Sequence, residues 1–106
     1  MRLPKLVRDF IPQIIHEDPE KTCDYHIASD DEYEMRLFEK MKEEMQEFID
    51  NPCYEEAADI FEVFRALCSF HGLDIDGVQS TAMDKRERRG GFSNRVVLSR
   101  VDKFGT

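Results

Sequence analysis

The chain lacks the features that would direct it to a membrane, a secretory route or a nucleic acid. None of its apolar runs approaches the roughly 20 residues needed to span a bilayer. The opening residues, Met1-Arg2-Leu3-Pro4-Lys5, lack an apolar signal-peptide core, so no secretory signal is expected. Cysteine is scarce: Cys23, Cys53 and Cys68 are an odd number without regular spacing. This argues against a disulfide framework and predicts free, mostly buried thiols in a reducing cytoplasm. Positive charge is in deficit, with 15 Lys and Arg against 23 Asp and Glu and a formal net charge of −8. That disfavours general binding to nucleic-acid polymers or anionic membranes. There is no internal repeat and no low-complexity stretch.

What is present fits one small domain over residues 1–106. The 41% hydrophobic content and eight Phe suffice for a modest core and do not suit a disordered tail. Charge is unevenly distributed. Asp30 to Asp59 carries twelve acids and three bases, whereas Asp84 to Lys103 carries seven bases and three acids. An acidic half beside a small basic patch suits a metal ion held together with a small phosphorylated ligand. Taken alone, the charge balance favours two ordinary solvated faces.

Helical signals recur along the chain. Asp9 before Phe10-Ile11-Pro12 reads as a helix start, with Pro12 tolerated in the first turn and the helix fading near Asp18-Pro19. Residues 20–28 read as irregular or a short strand. Ser29-Asp30-Asp31-Glu32 is a capping box opening a helix to about Asp50. Its apolar stripe is Leu37, Phe38, Met41, Met45, Phe48 and Ile49. Asn51-Pro52 reads as an N-cap with Pro at the first helical position of a third helix. That helix runs to about His71 with Ala57, Ile60, Phe61, Phe64, Leu67 and Cys68 inward, and Gly72 ends it. Asp74 caps a fourth helix ending at Gly90-Gly91. Val96-Val97-Leu98 then reads as a short strand or extended tail. The short link between helices two and three predicts an antiparallel helical hairpin with flanking helices.

Several carboxylates do not fit a solvated surface. At about 100° per residue, Glu44 falls roughly 40° from Phe48, at the edge of the apolar stripe, and Glu47 follows on the same side. On the next helix, Glu56 lies within the arc of Ile60 and Val63, and Asp59 sits beside Val63. In an antiparallel hairpin, facing residues share a nearly constant sum of positions. Positions 47 and 56 have the same sum as positions 44 and 59. Glu44-x-x-Glu47 and Glu56-x-x-Asp59 are therefore expected at one height, four acids across a partly dry seam. Close carboxylates repel, and burying unpaired charge is costly. A hard cation such as Mg²⁺, with Mn²⁺ as the alternative, removes both problems. Pairing with Lys40, Lys42 and Arg65, or exposure to water, is the plainer alternative.

Four segments carry a resemblance: Lys5-Leu6-Val7-Arg8-Asp9-Phe10-Ile11-Pro12, Glu43-Glu44-Met45-Gln46-Glu47, Glu55-Glu56-Ala57-Ala58-Asp59-Ile60 and Lys85-Arg86-Glu87-Arg88-Arg89-Gly90-Gly91-Phe92. In this order the chain resembles the MazG-like, all-α nucleoside triphosphate pyrophosphohydrolases, especially the small stand-alone group related to phosphoribosyl-ATP pyrophosphohydrolase. The resemblance implies an all-α, four-helix MazG-like bundle with an antiparallel central hairpin and a short extended C-terminal tail. It implies cleavage between the α and β phosphates, giving a nucleoside monophosphate and pyrophosphate. Glu44, Glu47, Glu56 and Asp59 match the Mg²⁺ ligands. Lys85 and Arg88 or Arg89 match the phosphate-contacting bases. Such folds often complete the site by dimerising, so a homodimer is expected. Phe10 departs from the pattern, standing where the opening motif carries Lys. Either Glu43 or Glu47 is the expected acceptor of the attacking water's proton.

Other signals weigh less. Cys23-x-x-His26 lacks a second ligand pair, and Asp74-Ile75-Asp76-Gly77 lacks the remaining ligands of a calcium loop. Arg89-Gly90-Gly91 reads as a helix C-cap. His16 and His71 sit near helix ends. Phe92 and Tyr33 can stack on a base, with packing their commoner use. The expected activity is that of a nucleotide-cleaning pyrophosphohydrolase. A phosphoribosyl-ATP pyrophosphohydrolase and a non-catalytic helical nucleotide-binding or dimerisation module are the alternatives.

Overall fold

The computed structural model describes residues 3–103. It is all-helical: α1 (Ile11–His16), α2 (Asp30–Asp50), α3 (Tyr54–Phe70) and α4 (Ile75–Arg89). Among the described residues there is no strand, and residues 96–98 belong to no helix. The chain divides after Leu73 into two compact units.

In the first unit, α2 and α3 pack against each other. Ser29 caps α2 as expected, its hydroxyl accepting from the Glu32 N–H at 3.3 Å. Only half of the capping box forms, because the Glu32 carboxylate is taken by His26 at 2.8 Å and Arg36 at 3.2 Å. Those partners hold the Glu32 carboxyl below its usual range, the His26 hydrogen bond contributing most. At the far end, the Asn51 N–H bonds the Glu47 carbonyl and closes α2. Asn51 does not open α3, as the sequence suggested it would. α3 starts two residues later than that reading, with Cys53 at its N-cap and no side-chain cap. α1 likewise begins at Ile11 behind Phe10, and Asp9 does not cap it.

α3 ends in a Schellman motif. The Leu73 N–H reaches the Cys68 carbonyl at 2.8 Å and the Gly72 N–H reaches that of Ser69 at 3.0 Å. This requires the left-handed φ of 71° that Gly72 adopts. Contacts tie the start of α2 to the end of α3. The rings of Tyr33 and Phe70 meet edge-on at 5.6 Å, and His71 Nε2 lies 2.9 Å from a Glu34 oxygen.

The core is small. Leu37, Val63 and Cys68 are its buried apolar residues. Phe38, Met45 and Ile49 on α2, and Ala57, Phe61 and Phe64 on α3, are exposed rather than inward. The apolar arc on each helix is wider than one neighbouring helix covers. Cys68 alone of the three free thiols is buried; Cys23 is half-buried and Cys53 exposed. Among the described residues, no helix is long and apolar enough to cross a membrane. In the second unit, α4 buries none of its residues and ends at Gly90 with φ 81°.

Candidate metal centre

Glu44 and Glu47 lie one turn apart on α2, and Glu56 and Asp59 one turn apart on α3. Helices packed over this stretch bring all four together. One carboxylate oxygen from each lies within 4.8 Å of the others. The depth is graded: Glu44 is buried, Glu56 and Asp59 are half-buried, and Glu47 is exposed. Position sums located the cluster correctly, but placed Glu44 too near the surface. It is only 5% exposed, as deep as the core residues beside it.

Glu44 is the electrostatic centre of the arrangement. One of its oxygens, Oε1, lies 3.3 Å from Lys40 Nζ. The other, Oε2, is buried without a hydrogen-bond partner, and so is Oε2 of Glu56. Burial pushes the Glu44 carboxyl above its usual range. The Lys40 ammonium opposes that rise, and the adjacent Glu47 adds to it. Buried acceptors are ordinarily satisfied, and one left unpartnered costs about 1–3 kcal/mol, more when charged. Two such oxygens beside two further carboxylates form a donor set of hard, anionic oxygen. Such a set can hold a hard divalent cation.

The surroundings are basic. From the N-terminal segment, Arg8 Nη2 donates to Asp59 Oδ1 at 2.8 Å and Lys5 Nζ to Glu43 Oε1 at 3.3 Å. Glu43 also lies 3.6 Å from Lys40 Nζ. It stands beside the four-acid cluster and outside it. The anticipated partners Lys40 and Arg65 divide their roles: Lys40 meets Glu43 and Glu44, whereas Arg65 lies 3.9 Å from Glu62. The contacts made by Arg8 and Lys5 span 51 and 38 residues. No helical period reports contacts over that separation, and the opening motif was the only sequence signal for them. Lys85, Arg88 and Arg89 lie exposed on α4 in the second unit. Their i, i+3, i+4 spacing gathers them on one face of that helix.

No family model matches this chain, and neither a curated protein nor a solved structure matches it.

Proposed function

We propose that this protein is a Mg²⁺-dependent nucleoside triphosphate pyrophosphohydrolase of the MazG-like type, built on an antiparallel α2–α3 hairpin. The observation that carries the reading is the four-carboxylate cluster with two buried, unpartnered oxygens. The reaction takes a nucleoside triphosphate and water to a nucleoside monophosphate and pyrophosphate. Glu44, Glu47, Glu56 and Asp59 would hold the cation. When bound, a hard cation supplies neutralisation of phosphate charge, which is most of what phosphoryl transfer asks of a protein.

The remaining residues act around that centre. Glu44 and Glu56 commit buried oxygens that have no other partner. Arg8 and Lys40 offset the negative charge of the cluster and, by the same sign, of a polyphosphate. Glu47, the exposed member, and Glu43 beside it are the groups open to accept a proton from water. In the second unit, Lys85, Arg88 and Arg89 are the bases that match the family's phosphate contacts. Free Cys23, Cys53 and Cys68 support a reducing, cytoplasmic setting.

The exposed apolar positions support a homodimer. Phe38, Met45 and Ile49 form a line along α2 at i, i+7 and i+11, beside the stripe that α3 covers. A second copy presenting the same line would bury it.

The test is pyrophosphate release from a panel of canonical and modified nucleoside triphosphates with Mg²⁺. Pyrophosphate and monophosphate are expected in equal amounts, abolished by EDTA and by Glu56→Ala. Release from phosphoribosyl-ATP alone would reassign the substrate. Folded, metal-bound protein without release from any substrate would leave a non-catalytic nucleotide-binding module.

A further inference from the structure

Beside the acid cluster, within the first unit, lies an open cleft of about 460 Å³. The N-terminal segment roofs it. Its walls are mainly apolar, with Phe10 from that segment, Tyr33 and Leu37 from α2 and Val63 from α3. Arg8, Asp9, Lys40, Glu44, Asp59 and Glu62 give it a charged side. Apolar cleft and carboxylate cluster are thus one continuous site, with Glu44 common to both and carrying the unpartnered oxygen.

Such a site fits a ligand with two chemically different ends. A hard, phosphorylated end belongs at the carboxylates with their cation. A flat, apolar end belongs in the cleft, where ligand sites usually combine aromatic walls with few polar groups. The two aromatic residues differ in packing. Tyr33 is fixed edge-on against Phe70 at 5.6 Å. Phe10 is 72% exposed at the N-cap of α1, a large apolar ring kept in water although it lines the cleft. An exposed aromatic costs little to bring onto a planar ligand and is re-covered when one arrives. It is also the position where this chain departs from the Lys of the motif it resembles.

We propose that this cleft seats the aromatic base of the nucleotide and that Phe10 stacks on it. The inference rests on the nucleotide-hydrolase reading and adds to it a binding residue for the base. Base–aromatic stacking corresponds to roughly a five- to hundredfold change in affinity. Phe10→Ala is therefore expected to raise KM about tenfold while kcat changes less than threefold. A merely structural role would lower kcat as well.

The chain contains no Trp. Phe10→Trp therefore installs a single fluorescent reporter in the wall, and its 72% exposure makes the larger ring easy to accommodate. With Mg²⁺ present, nucleoside triphosphates are expected to quench that Trp saturably, whereas pyrophosphate leaves it unchanged. Pyrophosphate release by the same variant is followed in parallel. Turnover without quenching, or equal quenching by pyrophosphate, would overturn the base site and leave the hydrolase reading intact. Neither quenching nor turnover, with wild-type protein also inactive, would overturn both. A Phe10→Ala variant with unchanged KM would independently remove Phe10 from the base.

Discussion

Glu44→Gln is expected to lower metal-dependent pyrophosphate release by about a hundredfold or more, since losing even an outer partner of a metal site costs about 10–100-fold. The same substitution is expected to leave the metal-free protein at least as stable as wild type at neutral pH. These opposite signs follow from one residue. Glu44 is 5% exposed, one of its oxygens has no partner, and burial holds its carboxyl above the usual range. Without a cation, the charged form is a burden on the fold. Gln keeps the shape, removes the charge and offers an amide donor to the neighbouring carboxylates.

The pH dependence has a definite sign. For a carboxyl whose folded pKa is raised, the native state binds more protons than the unfolded state between the two values. The stability it contributes is fully present below the ordinary glutamate value of 4.5 and is lost as pH rises through the raised folded value. In EDTA, the advantage of Glu44→Gln over wild type is therefore largest at neutral pH and shrinks as pH approaches 4.5. Thermal unfolding of both proteins across that range measures it. A wild type consistently more stable than the variant in EDTA would mean that Lys40 satisfies Glu44 without any cation.

The second large effect concerns assembly. Met45→Glu is expected to weaken self-association by about a hundredfold or more. The substitution places a charge in the middle of the Phe38, Met45, Ile49 line, and two-fold symmetry presents it twice in each dimer. Sedimentation velocity should find wild type at twice the 12.5 kDa chain mass and the variant at that mass. The variant's helical content should be unchanged, because Met45 is exposed within the chain. Wild type sedimenting as a monomer at all concentrations would remove the second copy as occupant of that face.

Much of the site was legible because its determinants are local. Ser29 announces α2 and Gly72 closes α3 through bonds spanning a few residues. The i, i+3 spacing of Glu44 with Glu47, and of Glu56 with Asp59, places each pair on one helix face. The short link then fixes which pair meets which. Misreadings arose where one residue had two local uses. Asn51 fits an N-cap by type, yet it stands at the C-cap of α2 and its side-chain amide donates to Cys53 Sγ at 3.9 Å. The roles of Arg8 and Lys5 depend on how the N-terminal segment lies across two helices, which no period records. The width of the apolar arcs was visible, but periodicity does not say how many neighbours cover an arc. Phe38, Met45 and Phe64 therefore read as core by period, whereas α2 and α3 leave them exposed.

On the proposed reading, Glu44, Glu47, Glu56 and Asp59 together hold one hard divalent cation. Titrating Mn²⁺ into the protein while following the paramagnetic resonance of the free ion tests it directly. Wild type is expected to remove about one Mn²⁺ per chain from solution, competed by Mg²⁺, with that site lost in Glu44→Gln and in Glu56→Gln. Binding no tighter than that of scattered surface carboxylates, or binding undiminished in both variants, would contradict it.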